Sequence, residues 1–95
     1  MPNQPTPSIG RIVHIAMDPA ANNGTDVAPA VITRVWSDTC VNLRVLNDGP
    51  DVDWRTSVTL WQSREALEAH RDQLVADGVV DEGARPVGAF WPERV

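Results

Sequence analysis

The chain has no lysine and no tyrosine, one cysteine, two histidines and no long apolar run. Each absence excludes something. Cys40 alone cannot form an intramolecular disulfide, so the core is not stapled, and a reducing compartment or a packed assembly fits. Cys40, His14 and His70 cannot supply the four ligands of a Cys/His zinc site. His70 also follows Glu68 at a spacing that puts the two on different helix faces, so they are not a chelating pair. No metal and no cofactor are expected. No apolar stretch reaches the roughly 20 residues of a membrane-spanning helix, so no membrane partner is expected. The opening "MPNQPTPSIG" has neither a basic nor an apolar segment, and no secretory leader is read there.

Catalytic motifs are missing too. Neither GxGxxG nor GxxxxGK occurs, which removes the glycine loops that cradle phosphates. Ser8, Ser37, Ser57 and Ser63 lie in no GxSxG setting. Asp48, Asp51 and Asp53 alternate in a loop, but the terminal Glu of a calcium-binding loop is absent. Cys40 lies in a strand pattern with no nucleophile signature around it, so it reads as a small packed side chain. No catalytic residue is assigned, and the chain is not expected to be an enzyme.

Charge narrows the partners. The basic residues are all arginine, eight against thirteen acids, for a net charge of −5. The arginine, Ala, Val, Asp, Gly and Pro bias reflects a GC-rich genome rather than a function. Nonspecific nucleic-acid affinity comes from neutralising phosphates, so an acidic chain with no basic patch is a poor candidate for it. An acidic surface favours basic partners instead.

With 42% hydrophobic and 22% charged residues in 95, the composition is that of one small globular domain. Residues 1–8, with three prolines, read as an extended arm, and residues 9–95 as the domain. Ile9–Met17 is rich in β-branched residues and predicts a first strand. Asp18–Pro29 is full of turn formers around Asn23-Gly24. Ala30–Trp36 and Cys40–Leu46 predict an antiparallel hairpin across a short turn, with Val41, Leu43 and Val45 alternating with Asn42 and Arg44. Asn47–Asp53 is a second loop and Trp54–Trp61 a fourth strand, which alternates less cleanly. The period then changes. Ser63 can cap a helix over about 63–76, with Glu65 in its first turn and Ala66, Leu67, His70 and Leu74 on one face. Arg64–Glu68 and Glu68–Arg71 pairs are expected on its polar side. Gly78 ends it, and Val87–Trp91 predicts a last strand. Four strands, a helix and a strand predict a small SH3-like barrel of about five antiparallel strands with one helix before the last. An OB-like barrel is the alternative, although its helix usually falls between the third and fourth strands.

"IGRIVH" (Ile9–His14), "PAVITRVW" (Pro29–Trp36), "CVNLRV" (Cys40–Val45), "TSV" (Thr56–Val58) and "WPERV" (Trp91–Val95) follow one another in an order that resembles small, mostly uncharacterised proteins of bacteriophages and prophages of GC-rich, chiefly actinobacterial, hosts. The resemblance covers roughly half the chain. The loop at Asn47–Asp53 and the segment Gln62–Pro86 depart from the shorter members. The resemblance implies a phage origin, a place in the virion or in the host cytoplasm during infection, and no particular activity.

The four tryptophans carry the functional expectation. Trp61 and Trp91 read as core. Trp36 and Trp54 flank loops at strand ends, where an aromatic can form a binding platform, and interfaces favour Trp and Arg. In "FWPERV", alternation allows one of Phe90 and Trp91 to face inward, leaving the other against the helix or a partner. The candidate interface is therefore Trp36, Trp54, Phe90, Trp91, Arg34, Arg44 and Arg55. The expected partners are other phage structural proteins or a second copy of this chain. An intracellular module using its acidic helix on a host or phage protein is the alternative, and nucleic-acid binding ranks last.

Overall fold

The alternating apolar residues of the first, second and third strand segments place their side chains on one face, and a sheet this short buries that face by closing on itself. In a computed structural model, which describes residues 6–50 and 53–92, the elements are β1 (Ile12–Ala16), β2 (Val27–Ser37), β3 (Cys40–Val45), β4 (Asp53–Trp61), the helix α1 (Arg64–Ala76) and β5 (Ala89–Phe90). The strands close into a barrel in the order β1-β2-β3-β4-β5. The helix precedes the last strand, as in an SH3-like barrel. Val13, Ile15, Ala28, Ala30, Ile32, Val41, Leu43, Val45, Leu60 and Ala89 fill the interior, closed by Met17 and Trp91. Three of these are alanine, which suits a barrel too narrow for large side chains from every strand.

One seam departs from the expected antiparallel arrangement. β1–β2, β2–β3, β3–β4 and β1–β5 pair antiparallel, but β4 and β5 run parallel, Leu60 opposite Ala89 and Trp61 opposite Phe90. Parallel neighbours need a crossover connection. Here α1 and the residues after it supply one, returning the chain so that β5 starts level with the end of β4.

Local chemistry sets the helix ends. The Ser63 hydroxyl accepts the Ala66 amide at 3.1 Å, and Glu65 lies in the first turn. At the other end Gly78 takes φ +76, and the Val79 amide reaches back to the Leu74 carbonyl, the left-handed turn that glycine makes without steric cost. The expected Arg64–Glu68 pair forms at 3.6 Å. Arg71 turns from Glu68 to Asp72 at 2.8 Å and to the Ala84 and Glu82 carbonyls, so it ties down the connector behind the helix.

The β1–β2 loop is more ordered than its turn formers suggest. It makes a short 3-10 turn at Pro19–Ala21. Asn22, 1% exposed, donates to the Thr25 and Val27 carbonyls and accepts the Asp48 amide at 2.6 Å. One buried amide thus joins the β1–β2 and β3–β4 loops. Of the expected arm, residues 1–5 lie outside the described residues, as do Asp51 and residues 93–95, while Pro7 is buried. Among the described residues no helix is long and apolar enough to cross a membrane.

Candidate functional site: the outer face of β2, β3 and β4

The strand registers align a row of outward residues across four strands: Ile12 opposite Val31, Val31 opposite Arg44, and Arg44 opposite Trp54. A second group lies beside it. Arg34 is opposite Asn42, and its guanidinium carbon sits 3.9 Å from the centre of the Trp36 ring, a cation–π contact that fixes both side chains. Trp36 and Trp54 are each 52% exposed and Ile12 46%.

Asn42 organises this face. It points outward on β3 yet is only 7% exposed. Its side-chain oxygen accepts from Trp36 Nε1 at 2.9 Å, from Thr56 Oγ1 at 3.0 Å and from the Ser57 amide at 2.8 Å. The sequence supplies this geometry through irregularities. Thr56 and Ser57 both oppose Asn42, with Ser57 at φ +55, and the β2–β3 ladder slips on either side of Arg34–Val35. Bulges bend and twist a strand and re-aim its side chains. They fold Trp36 and the β4 backbone over Asn42, so one amide holds the tryptophan in position.

The sequence-derived interface residues divide. Trp36, Trp54, Arg34 and Arg44 come together on this face. Arg55 does not join them. It is opposite the inward Leu43, because the bulge at Ser57 reverses the alternation, and it pairs with Asp53 at 2.7 Å. Phe90 and Trp91 are also corrected: they are 4% and 6% exposed, so neither offers surface to a partner. Trp91 belongs to the interior cluster, with the Arg11 guanidinium 5.1 Å from its ring. Phe90 faces outward, opposite His14, but lies under the helix, where it and Leu67 line one cavity. Asn42, Thr56 and Ser57 escaped the sequence reading. Asn42 looks like an ordinary solvated position in an alternating strand, and only the unclean alternation of β4 hinted at the bulge.

Charge is distributed unevenly. Among the described residues, Arg55, Arg64, Arg71 and Arg85 each pair with a carboxylate, whereas Arg11, Arg34 and Arg44 do not. Two of these three lie on the outer face, beside the two exposed tryptophans.

The other side of the barrel is closed. The cavity under α1, of about 280 Å³, has Met17, Val27, Leu67 and Phe90 in its walls, and the Arg64–Asp26 pair at 2.7 Å stands beside it. Trp61, the remaining tryptophan, is half-buried with its ring 4.7 Å from that of His70. His14 meets the Phe90 ring edge-on. Each histidine is therefore placed against an aromatic ring, and among the described residues no three His, Cys, Asp or Glu side chains gather as a metal site. Comparison with protein-family models, with curated proteins and with solved structures gives no match.

Proposed function

We propose that this is a non-enzymatic, phage-derived protein-interaction module that docks on other virion proteins through the outer face of β2, β3 and β4. The observation that carries the reading is the grouping of Trp36 and Trp54, each half-exposed, with Arg34 and Arg44, which pair with no carboxylate among the described residues. Trp and Arg dominate binding energy at protein interfaces because they bury large area and make directional polar contacts at once. The Asn42 bond and the Arg34 stack hold Trp36 in one place before any partner arrives, which lowers the ordering cost of association. The place in a virion comes from the resemblance of the sequence blocks to phage proteins.

Mass spectrometry of purified virions tests the location: the polypeptide should be present, and virions without it refute a virion role. Crosslinking in those virions tests the surface. Trp36→Ala/Trp54→Ala should lose its crosslinks while staying folded; unchanged crosslinks refute docking through this face. The second reading, an intracellular module working through the acidic helix, draws on the exposed Glu65 and Asp77. It fails if a pull-down from host lysate recovers nothing. A low-salt gel shift with single- and double-stranded nucleic acid should show no complex.

A further inference from the structure

The outer face has a chemical complement on the same chain. In the stretch Asp77–Glu82, the acids Asp77, Asp81 and Glu82 are exposed around Val79, which is 66% exposed. Among the described residues none of these three carboxylates forms an ion pair; Asp77 takes only the Gln73 amide at 2.9 Å. Arg71 holds the far end of this stretch against the helix through the Glu82 carbonyl. So one surface offers two unpaired arginines beside exposed tryptophans, and the other offers three unpaired carboxylates around an exposed valine. They belong to different parts of the fold: the first to β2, β3 and β4, the second to the end of α1 and the connector after it. Among the described residues no ion pair joins them within one chain.

We propose that the protein self-assembles head to tail, the Arg34–Trp36–Arg44–Trp54 face of one copy seated on the Asp77–Glu82 surface of the next. This rests on the reading of that face as a docking surface. Arginine and carboxylate form charge-assisted, often bidentate, bonds, and the tryptophans and Val79 supply apolar area between them. A contact between two different surfaces does not use itself up in a dimer. It repeats, closing into a ring if the rotation allows and otherwise running on as a filament.

Sedimentation velocity of the full chain over a concentration series tests this. Assembly should pass beyond the dimer and weaken as salt screens the charges. Two variants complete the test, each checked for folding by circular dichroism. Arg34→Glu/Arg44→Glu makes both surfaces acidic, and Asp77→Arg/Asp81→Arg/Glu82→Arg makes both basic. Each alone should stay monomeric, while an equimolar mixture should assemble, because every contact in an alternating mixture is again complementary. A monomeric wild type, a plain dimer, a variant that assembles alone, or a mixture that does not assemble overturns the proposal. If the wild type is monomeric but Arg34→Glu/Arg44→Glu loses its virion crosslinks, self-assembly falls and docking on other proteins stands. If that variant keeps its crosslinks as well, both readings fall.

Discussion

The barrel presents outward aromatic residues on two sides and treats them differently. Over β5, Phe90 and Trp61 also point out of the barrel, but α1 lies over them. Phe90 is 4% exposed, and the Trp61 ring stacks on His70. Over β2, β3 and β4, Trp36 and Trp54 point out with none of the described elements above them and are each 52% exposed. The same kind of residue on the same kind of surface is core on one side and accessible on the other. A tryptophan's role here is set by what covers it, not by its strand position. On the covered side the two arginines beside the cavity are paired, Arg64 with Asp26 and Arg85 with Asp18. On the other side Arg34 and Arg44 have no carboxylate partner among the described residues. Cover over the aromatics and pairing of the neighbouring arginines change together.

This comparison can be broken. The largest effect is expected from truncation after Ala89, which removes Phe90 and Trp91 and with them the Phe90 pairs to His14 of β1 and Trp61 of β4, leaving β5 only Ala89. Thermal melts followed by circular dichroism should show no cooperative transition; a folded truncated chain refutes barrel closure by this strand. Next, Phe90→Ala should cost about 3–5 kcal/mol in urea unfolding, as large aromatic truncations in cores do, while Trp54→Ala should cost within about 1 kcal/mol. Equal losses at the two positions would remove the distinction. Asn42→Ala leaves three donors without their acceptor and should destabilise by about 1–3 kcal/mol, with a change in Trp36 fluorescence that Trp54→Ala does not mimic. The smallest effect belongs to the helix end. Ser63→Ala should cost about 1 kcal/mol through the lost cap, and no change in the urea midpoint would mean the cap contributes nothing to the cover over Phe90.

Much of the barrel was legible because period-two alternation is a strong signal where one face is buried. Val41, Leu43 and Val45 announced both their strand and its inward face. The helix was legible from Ser63 and from the changed spacing of Ala66, Leu67 and His70. The exposure of Trp36 and Trp54 followed from their places beside loops, whereas Trp91 was read both as core and as interface, and only the structure puts it inside. Three things were not legible. The parallel β4–β5 seam depends on where the connector after α1 delivers the chain, and no local residue encodes that. The fate of Phe90 depends on cover from a separate element: alternation says which way a side chain points, not what lies above it. Arg55 was misplaced because one extra residue at Ser57 reverses the alternation beyond it, the sensitivity that makes strand register unforgiving. Within the candidate site, the four residues that meet on the outer face were readable as types favoured at interfaces. Asn42, which orders them, was not, because its burial arises from two bulges and not from its own strand.

The pairing of His14 with Phe90 has a consequence for synthesis. The first strand of the barrel waits for the last, and the parallel seam between β4 and β5 waits with it. A nascent chain that has released β1 to β4 but not β5 carries two bare strand edges, and such edges invite pairing with other chains. Contacts this distant in sequence also slow closure once the whole chain is free. The interval between the emergence of Trp61 and that of Phe90, in which only the helix and its connector are made, is when this protein is most exposed to misassembly.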